Sequence, residues 1–518
     1  MGSFMSSFWR YLQSHRRIIC IAVPIFLGIL YMVLCMVQLQ QSIWFDESYS
    51  AYLTRFEYPK LWELTAADVH PPFFYILLKT WAHFFGHTDF AMRMLSVLFG
   101  AIAIIFAFLW LKYKYGATAA ITASTLLAIS PVFIRYGQEM RMYTLILAIV
   151  FAATYVLQLA VDNGKKRWWA IYAILIALGM WTHYFCALAW IAHLVYLIKI
   201  YGKKIFQKKI VATYAAAVLM FAPWLPSLFV QITSVESGGF WIRDISAHGL
   251  MDYWTESLVY MTSDDAKGWI FLLLLFVSII IFALAIKYRG KIRMLLSLAL
   301  VPVFVLILLS LPPLESMFNP RYILYSIVAI ALIFGVSLVH YARDHRKKRS
   351  AKARRRQVAI VTASFLMFFG TSIVGIASVY ATGNYNFDTY VKSPSKDLYN
   401  TITTIDGNQN LAIICASEWL YYDLSFYATK EHSVYFLNET VDYKYGSLYP
   451  LRESAIGRID NLDAFLAKRD YFWYITTVND QGEFANTFPR DSWQIYEYST
   501  VKLNDHSDTY VIVKMARK

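Results

Sequence analysis

The chain has 518 residues, 58% hydrophobic, 17% aromatic and only 16% charged, with a mean hydropathy of +0.44. So little charge on so much apolar sequence excludes an ordinary water-soluble domain and places the chain among polytopic α-helical membrane proteins. The formal net charge of +14 excludes little by itself, but the basic residues collect in short loops between apolar runs, which is a topological pattern and not a nucleic-acid signature.

Apolar windows of about 20 residues, the length that crosses a bilayer core, recur near 18–38, 91–111, 116–133, 143–161, 168–184, 185–200, 210–230, 268–287, 291–311, 322–341 and 357–380. The first follows Arg16 and Arg17 and is too long for a cleaved signal peptide, so it reads as a retained helix. Lys112 and Lys114, Lys165 to Arg167, Lys203 to Lys209, Lys287 to Arg293 and the run 343–356 all fall on one side, which the positive-inside rule makes the cytoplasm. The run 343–356 reads as a solvated loop against anionic lipid. The segments 39–90, 134–142, 231–267 and 312–321 then lie outside. Counting His70 to Phe85 as a further span would reverse every later loop, so the charge pattern makes it an interfacial or re-entrant helix on the outer face.

After residue 380 the pattern changes. Short apolar runs at 411–415, 471–475 and 509–513 alternate with polar turns, which predicts a small α/β domain over 381–518 behind a transmembrane domain over 1–380. This region carries 13 Lys and Arg against 18 Asp and Glu, so the positive charge belongs to the membrane part. Eleven spans from a cytoplasmic N-terminus put the C-terminal domain outside the cytoplasm. Of the four cysteines only Cys415 lies in that domain, so it must fold on its core without an internal disulfide. The triplet at 438–440 fits an N-glycosylation site, a common chance match. No internal repeat, Walker loop, dinucleotide fingerprint or metal-spaced Cys/His cluster is found.

The candidate chemistry begins after the first span with Trp44, Phe45, Asp46 and Glu47. Two adjacent carboxylates at a membrane boundary are costly unless water reaches them or chemistry uses them. Neighbours on a helix point about 100° apart, so one faces a site while the other orients or caps. Alternatively both simply favour the N-terminus of a helix over 48–58. His70, Pro71 and Pro72 start the next apolar helix, where proline suits the first turn and the open N–H groups favour an anion. Arg93 begins the following span, as a phosphate ligand or as a snorkelling anchor.

The stretch 130–143 is the second dense one, with Arg135, Tyr136, Gln138, Glu139, Arg141 and Tyr143 between two apolar spans. It reads as a short outer loop over a cavity. Arginine forks bind phosphate oxygens in pairs and stay charged. The bland alternative is an ion pair of Glu139 with Arg135 or Arg141 that holds two helix ends together. In the long segment 231–267, Phe240 and Trp241 are aromatic anchors and Tyr253, Trp254 and Glu256 fall along a short helix, either closing over a sugar or capping the fold. Arg321, at the start of a late span, is a further phosphate candidate.

Taken in order, Asp46-Glu47, His70-Pro71-Pro72, Arg93, the motif from Tyr136 to Tyr143 and, more weakly, Arg321-Tyr322 resemble the protein O-mannosyltransferase superfamily, glycosyltransferase family 39, with its bacterial relatives and the aminoarabinose transferase of lipid A. The resemblance is specific over about 40–145 and mainly topological over 145–310. It implies a GT-C fold with about 11 spans and outer-face interfacial helices. It also implies an inverting membrane glycosyltransferase that uses a polyprenyl-phosphate sugar and an extracytoplasmic glycan, lipid or protein acceptor. Asp46 matches the family's catalytic aspartate and Glu47 its acidic neighbour. Arg93, Arg135, Arg141 and Arg321 are the phosphate-binding candidates, and His70, Tyr136, Gln138, Glu139 and Tyr143 line the substrate. Glu139 stands near where some relatives have aspartate. The resemblance implies an enzyme that is metal-independent or weakly metal-dependent; no cofactor is assigned as certain, no metal ligands are assigned, and a divalent cation remains compatible with it. A transporter or flippase for lipid-linked sugars is the rival reading; it calls for repeated halves and charges inside spans, whereas most candidate charges lie at outer span ends and no repeat is found.

Overall fold

The computed structural model describes residues 16–238, 242, 244–313, 315–344, 350–382, 395–407, 409–428, 433–437, 448–478, 488–489, 491–502 and 509–518. Phe240, Trp241, much of the basic run 343–356 and the triplet 438–440 lie outside the described residues. The helices are, in chain order, α1 Arg16–Met36, α2 Phe45–Leu53, α3 Tyr58–Ala66, α4 Phe73–Phe85, α5 Asp89–Tyr115, α6 Ala117–Ala128, α7 Pro131–Gly137, α8 Tyr143–Asn163, α9 Lys166–Thr182, α10 Cys186–Tyr201, α11 Lys208–Phe221 and α12 Leu225–Gly238. There follow α13 Ala247–Val259, α14 Gly268–Tyr288, α15 Arg293–Leu308, α16 Leu324–Asp344, α17 Ala351–Thr382, α18 Ser395–Asp406, α19 Glu418–Tyr427, α20 Tyr449–Ser454 and α21 Leu462–Leu466. Each of the eleven apolar windows coincides with a helix. Among the described residues seven helical segments are long and apolar enough to cross a membrane, eight if the bent pair α6–α7 is one span, and Ile21–Met36 of α1 and α15 are shorter apolar segments.

The chain divides into two compact units. The first comprises Met1–Val37, Arg93–Pro226 and Phe240–Ala381. Its central helix is α16, with every residue from Leu324 to Val339 buried. It packs on α6, α8, α14 and α15. Close approach to α6 is possible because residue 335 is glycine: a Cβ there would lie 2.7 Å from Ala123 Cα. Small residues at such crossings let apolar helices associate by contact where lipid offers no hydrophobic gain.

The second unit comprises Gln38–Met92, Ser227–Gly239 and Thr382–Lys518. It carries a six-stranded mixed sheet in the order β3-β2-β1-β4-β6-β5. The strands are β1 Ile413–Cys415, β2 Val434–Leu437, β3 Arg458–Ile459, β4 Tyr471–Thr477, β5 Trp493–Lys502 and β6 Thr509–Arg517. The three apolar runs read from the sequence are β1, β4 and β6, which lie side by side at its centre. β1 pairs in parallel with β2 and β4, and β6 runs antiparallel to both β4 and β5. Ile414, Phe472, Tyr474, Val511, Val513 and Met515 form one core with Trp493.

In the same unit, α4 is 13 residues long. At 1.5 Å per residue it reaches about 20 Å, short of the roughly 30 Å hydrocarbon core. Its length agrees with the charge argument against a further span at His70 to Phe85.

Candidate active site

In the second unit Asp46 and Glu47 occupy the first turn of α2. The helix therefore starts earlier than the 48–58 expected, because Glu47 satisfies its N-terminus: the Trp44 N–H donates to Glu47 Oε2 at 3.4 Å. A carboxylate accepting from the N-cap N–H settles a donor that has no intrahelical partner. Glu47 is fully buried, whereas Asp46 is only half-buried. The two carboxylates thus differ in surroundings, as the 100° step between them requires.

His70 lies just ahead of α4, which begins after Pro72 as its N-cap. Its Nδ1 is 3.6 Å from Asp68 Oδ2, and Asp68 is 5% exposed. A buried carboxylate beside an imidazole can orient the ring. Asp68 was not singled out from the sequence; its spacing of two from His70 was the available signal.

The first unit holds the arginine-rich stretch. Its residues 131–137 are helical, and 138–142 are a short loop. Pro131 stops α6 and starts α7 at a 59° bend, with Ser130 extended as a residue before proline must be. Arg135, Tyr136, Gln138, Glu139 and Arg141 are each no more than 3% exposed, and Tyr143 is sealed. Burial on this scale demands partners for the charges. Arg135 Nη2 is 2.7 Å from Glu139 Oε1, four residues on in the turn after α7. Gln138 Nε2 donates to the Cys35 carbonyl at 3.0 Å, and Ser96 Oγ donates to the Arg141 carbonyl at 3.1 Å. Residue 137 must be glycine here, because a Cβ would run into Tyr31 Oη.

Tyr136 and Tyr143 meet edge to face at 5.2 Å. Glu139, Glu256, Tyr260 and Arg321 lie near enough for their charges to bear on the Tyr136 hydroxyl. Arg321 sits in the 3₁₀ turn that leads into α16, its N–H held by Asn319 Oδ1 at 3.2 Å, and is 8% exposed. Arg93, in the first turns of α5, is fully buried. Arg135, Tyr136, Glu139 and Arg321, separated by up to 186 positions in the chain, are therefore neighbours.

Glu256 joins them, on α13, which packs against α7 and α16. Burial first, and Asp252 second, hold its carboxyl well above the ordinary carboxylate range. Its Oε2 has no hydrogen-bond partner among the described residues. A neutral carboxyl can donate as well as accept, which suits it to a sugar hydroxyl. Among the described residues no three His, Cys, Asp or Glu side chains gather as a metal site.

Residues 69–226 match the family model described as dolichyl-phosphate-mannose-protein mannosyltransferase. No curated protein sequence matches the chain. Solved structures do. ArnT from Cupriavidus metallidurans in the apo state superposes with a TM-score of 0.58 at 13% identity, covering 97% of this chain and 98% of that one. The same protein bound to undecaprenyl phosphate gives 0.59 at 12% identity, covering 96% and 97%. The archaeal oligosaccharyltransferase AglB from Archaeoglobus fulgidus, in complex with an inhibitory peptide and a dolichol-phosphate, gives 0.51 at 14%, covering 90% and 70%. With seven or eight helices long and apolar enough to cross a membrane among the described residues, shorter helices after the first, and a C-terminal mixed sheet, this chain is a multi-pass membrane protein of the GT-C fold, and over residues 69–226 it is similar to the mannosyltransferase family.

Proposed function

We propose that the chain is a membrane glycosyltransferase that moves a sugar from a polyprenyl-phosphate donor to an acceptor outside the cytoplasm, with inversion. The observation that carries this is the fold match along nearly the whole of both chains to ArnT, a protein solved with undecaprenyl phosphate bound. The ordered motifs from Asp46 to Arg141 support it from the sequence side. The flippase alternative would not need a half-buried carboxylate beside a buried capping one.

In this mechanism Asp46 accepts the proton of an acceptor hydroxyl. The hydroxyl oxygen attacks C1 of the sugar from the face opposite the phosphate. The C1–oxygen bond to phosphate breaks, and its electron pair leaves on the polyprenyl phosphate. Arg93, Arg135, Arg141 and Arg321 are the cations available to hold that charge, and buried, fixed donors stabilise it far more than water does. Glu47 holds the first turn of α2. His70, with Asp68, and Tyr136, Gln138, Glu139 and Tyr143 contact substrate or orient those that do. The N-terminus lies in the cytoplasm and the C-terminal region outside.

The test is turnover of a labelled polyprenyl-phosphate hexose by the purified Asp46→Asn variant with membrane acceptors. Loss of a general base predicts a fall of about 100- to 10,000-fold. Wild-type turnover overturns the assignment. For the orientation, single cysteines at Lys114 and Asp264, both exposed, are treated with an impermeant thiol reagent in intact cells. Labelling at 264 alone is expected; labelling at 114 reverses the topology.

A further inference from the structure

The C-terminal region has no role in the mechanism above, yet it grips the helix that carries Asp46. Within the second unit, α19 lies along α2. Phe45 packs edge-on to Trp419 at 4.2 Å, Tyr49 meets Tyr422 at 6.0 Å, and Tyr52 meets Tyr422 at 5.0 Å. The Ile43 N–H donates to the Tyr427 hydroxyl at 2.9 Å, and Arg55 donates to the Ser425 carbonyl. At the centre of this contact is one buried carboxylate. Asp423 accepts from Ser48 Oγ on α2 and, at 3.0 Å, from Ser395 Oγ at the start of α18. Ser48 and Ser395 are each 1% exposed and Asp423 is 9% exposed.

The helix geometry gives this tie a consequence. Residues two apart on an α-helix point about 200° apart. Anchoring Ser48 to α19 therefore turns Asp46 to the opposite side of α2. The burial pattern agrees: Glu47 to Leu53 are all buried, whereas Asp46 keeps a partly open side. Hydrogen bonds to a charged acceptor are about twice as strong as neutral ones, so the Ser48–Asp423 contact fixes rotation about α2 more firmly than the aromatic packing, which tolerates sliding.

We propose that Asp423 is a positioning residue for Asp46: through Ser48 it sets the rotation of α2, and the C-terminal α/β region thereby serves the transfer step. This rests on Asp46 being the base.

The experiment compares Ser48→Ala, Asp423→Leu, Asp423→Asn and the Ser48→Ala/Asp423→Leu double variant of the full-length enzyme, with Asp46→Asn as control. The measurements are kcat, donor KM and thermal unfolding. Misplacing a catalytic group by about 1 Å can cost about 100-fold. Ser48→Ala and Asp423→Leu are expected to lower kcat by about 10- to 100-fold with donor KM unchanged and the protein still folded at the assay temperature. Asp423→Asn, which keeps an oxygen acceptor, restores much of the loss. The double variant falls no further than either single one, as coupled partners do. Wild-type kcat in Ser48→Ala and Asp423→Leu beside an inactive Asp46→Asn overturns the positioning role alone. So do losses that multiply in the double variant, or that follow the unfolding temperature. Wild-type turnover in Asp46→Asn removes the base assignment, and the positioning role with it.

Discussion

The Arg135–Glu139 pair separates a structural role from a catalytic one. Both side chains are almost fully buried, with Nη2 and Oε1 2.7 Å apart. Glu139→Leu removes the carboxylate and leaves the guanidinium's charge in a low-dielectric setting. Breaking a buried pair from one side costs about 3–5 kcal/mol, whereas replacing both members by apolar residues of similar size is often neutral or stabilising. The single variant is therefore expected to unfold at clearly lower temperature in detergent, and Arg135→Met/Glu139→Leu to recover most of that loss. Turnover should behave differently. If Arg135 holds the leaving phosphate, the double variant is as stable as the parent but slower by about 100- to 1000-fold, the cost of losing one donor to developing negative charge. Thermal unfolding and labelled-sugar transfer on the same preparations decide it. A double variant that regains both stability and turnover refutes the phosphate role and leaves an ion pair that only joins α7 to the turn after it. A Glu139→Leu protein with parental stability refutes the burial argument itself.

Glu256→Gln should stabilise the protein in a pH-dependent way. The carboxyl's folded pKa is raised from 4.5 by burial, so ionisation is harder in the folded state. Folding loses nothing below 4.5, and stability falls as pH rises from there through the raised folded value. The advantage of glutamine should grow over that window; a difference that stays constant with pH in unfolding experiments contradicts it. Gly137→Ala drives a methyl into Tyr31 Oη and 2.9 Å from Cys35 Sγ. It should cost about 1–3 kcal/mol. Tyr31→Phe in the same chain should relieve part of that, despite losing the hydrogen bond to the Phe133 carbonyl. Strict additivity of the two changes in unfolding temperature would argue against the clash. Cys415 is fully buried, and burial first and the charge of Asp423 second push its thiol up. It should resist iodoacetamide in the native protein and react in denaturant. Fast native labelling would show that β1 is not sealed.

The amino-acid sequence by itself determined the membrane class, the places of the apolar helices, the α/β character of the C-terminal region and the two stretches rich in acids and arginines. These follow from local composition and period, which a chain carries without reference to distant contacts. It also argued against a span at His70 to Phe85, through the charges of loops far along the chain, and α4 there has 13 residues. It read 134–142 as a short outer loop, which 138–142 are, but gave no sign that 131–137 is helical or that the whole stretch is buried. Charged residues between apolar runs normally face water, and only packing by α1, α13 and α16 makes burial of Arg135, Glu139 and Arg141 bearable. Tertiary structure alone decided that Glu256 and Arg321 stand near Tyr136, that Asp68 sits behind His70, and that Asp423 holds Ser48 across 375 positions. Such pairs leave no periodic trace, since a hydrogen bond between distant residues constrains two positions and nothing between them. The sequence named the acid at the start of α2; the fold supplied what keeps that acid turned outward from the helix behind it.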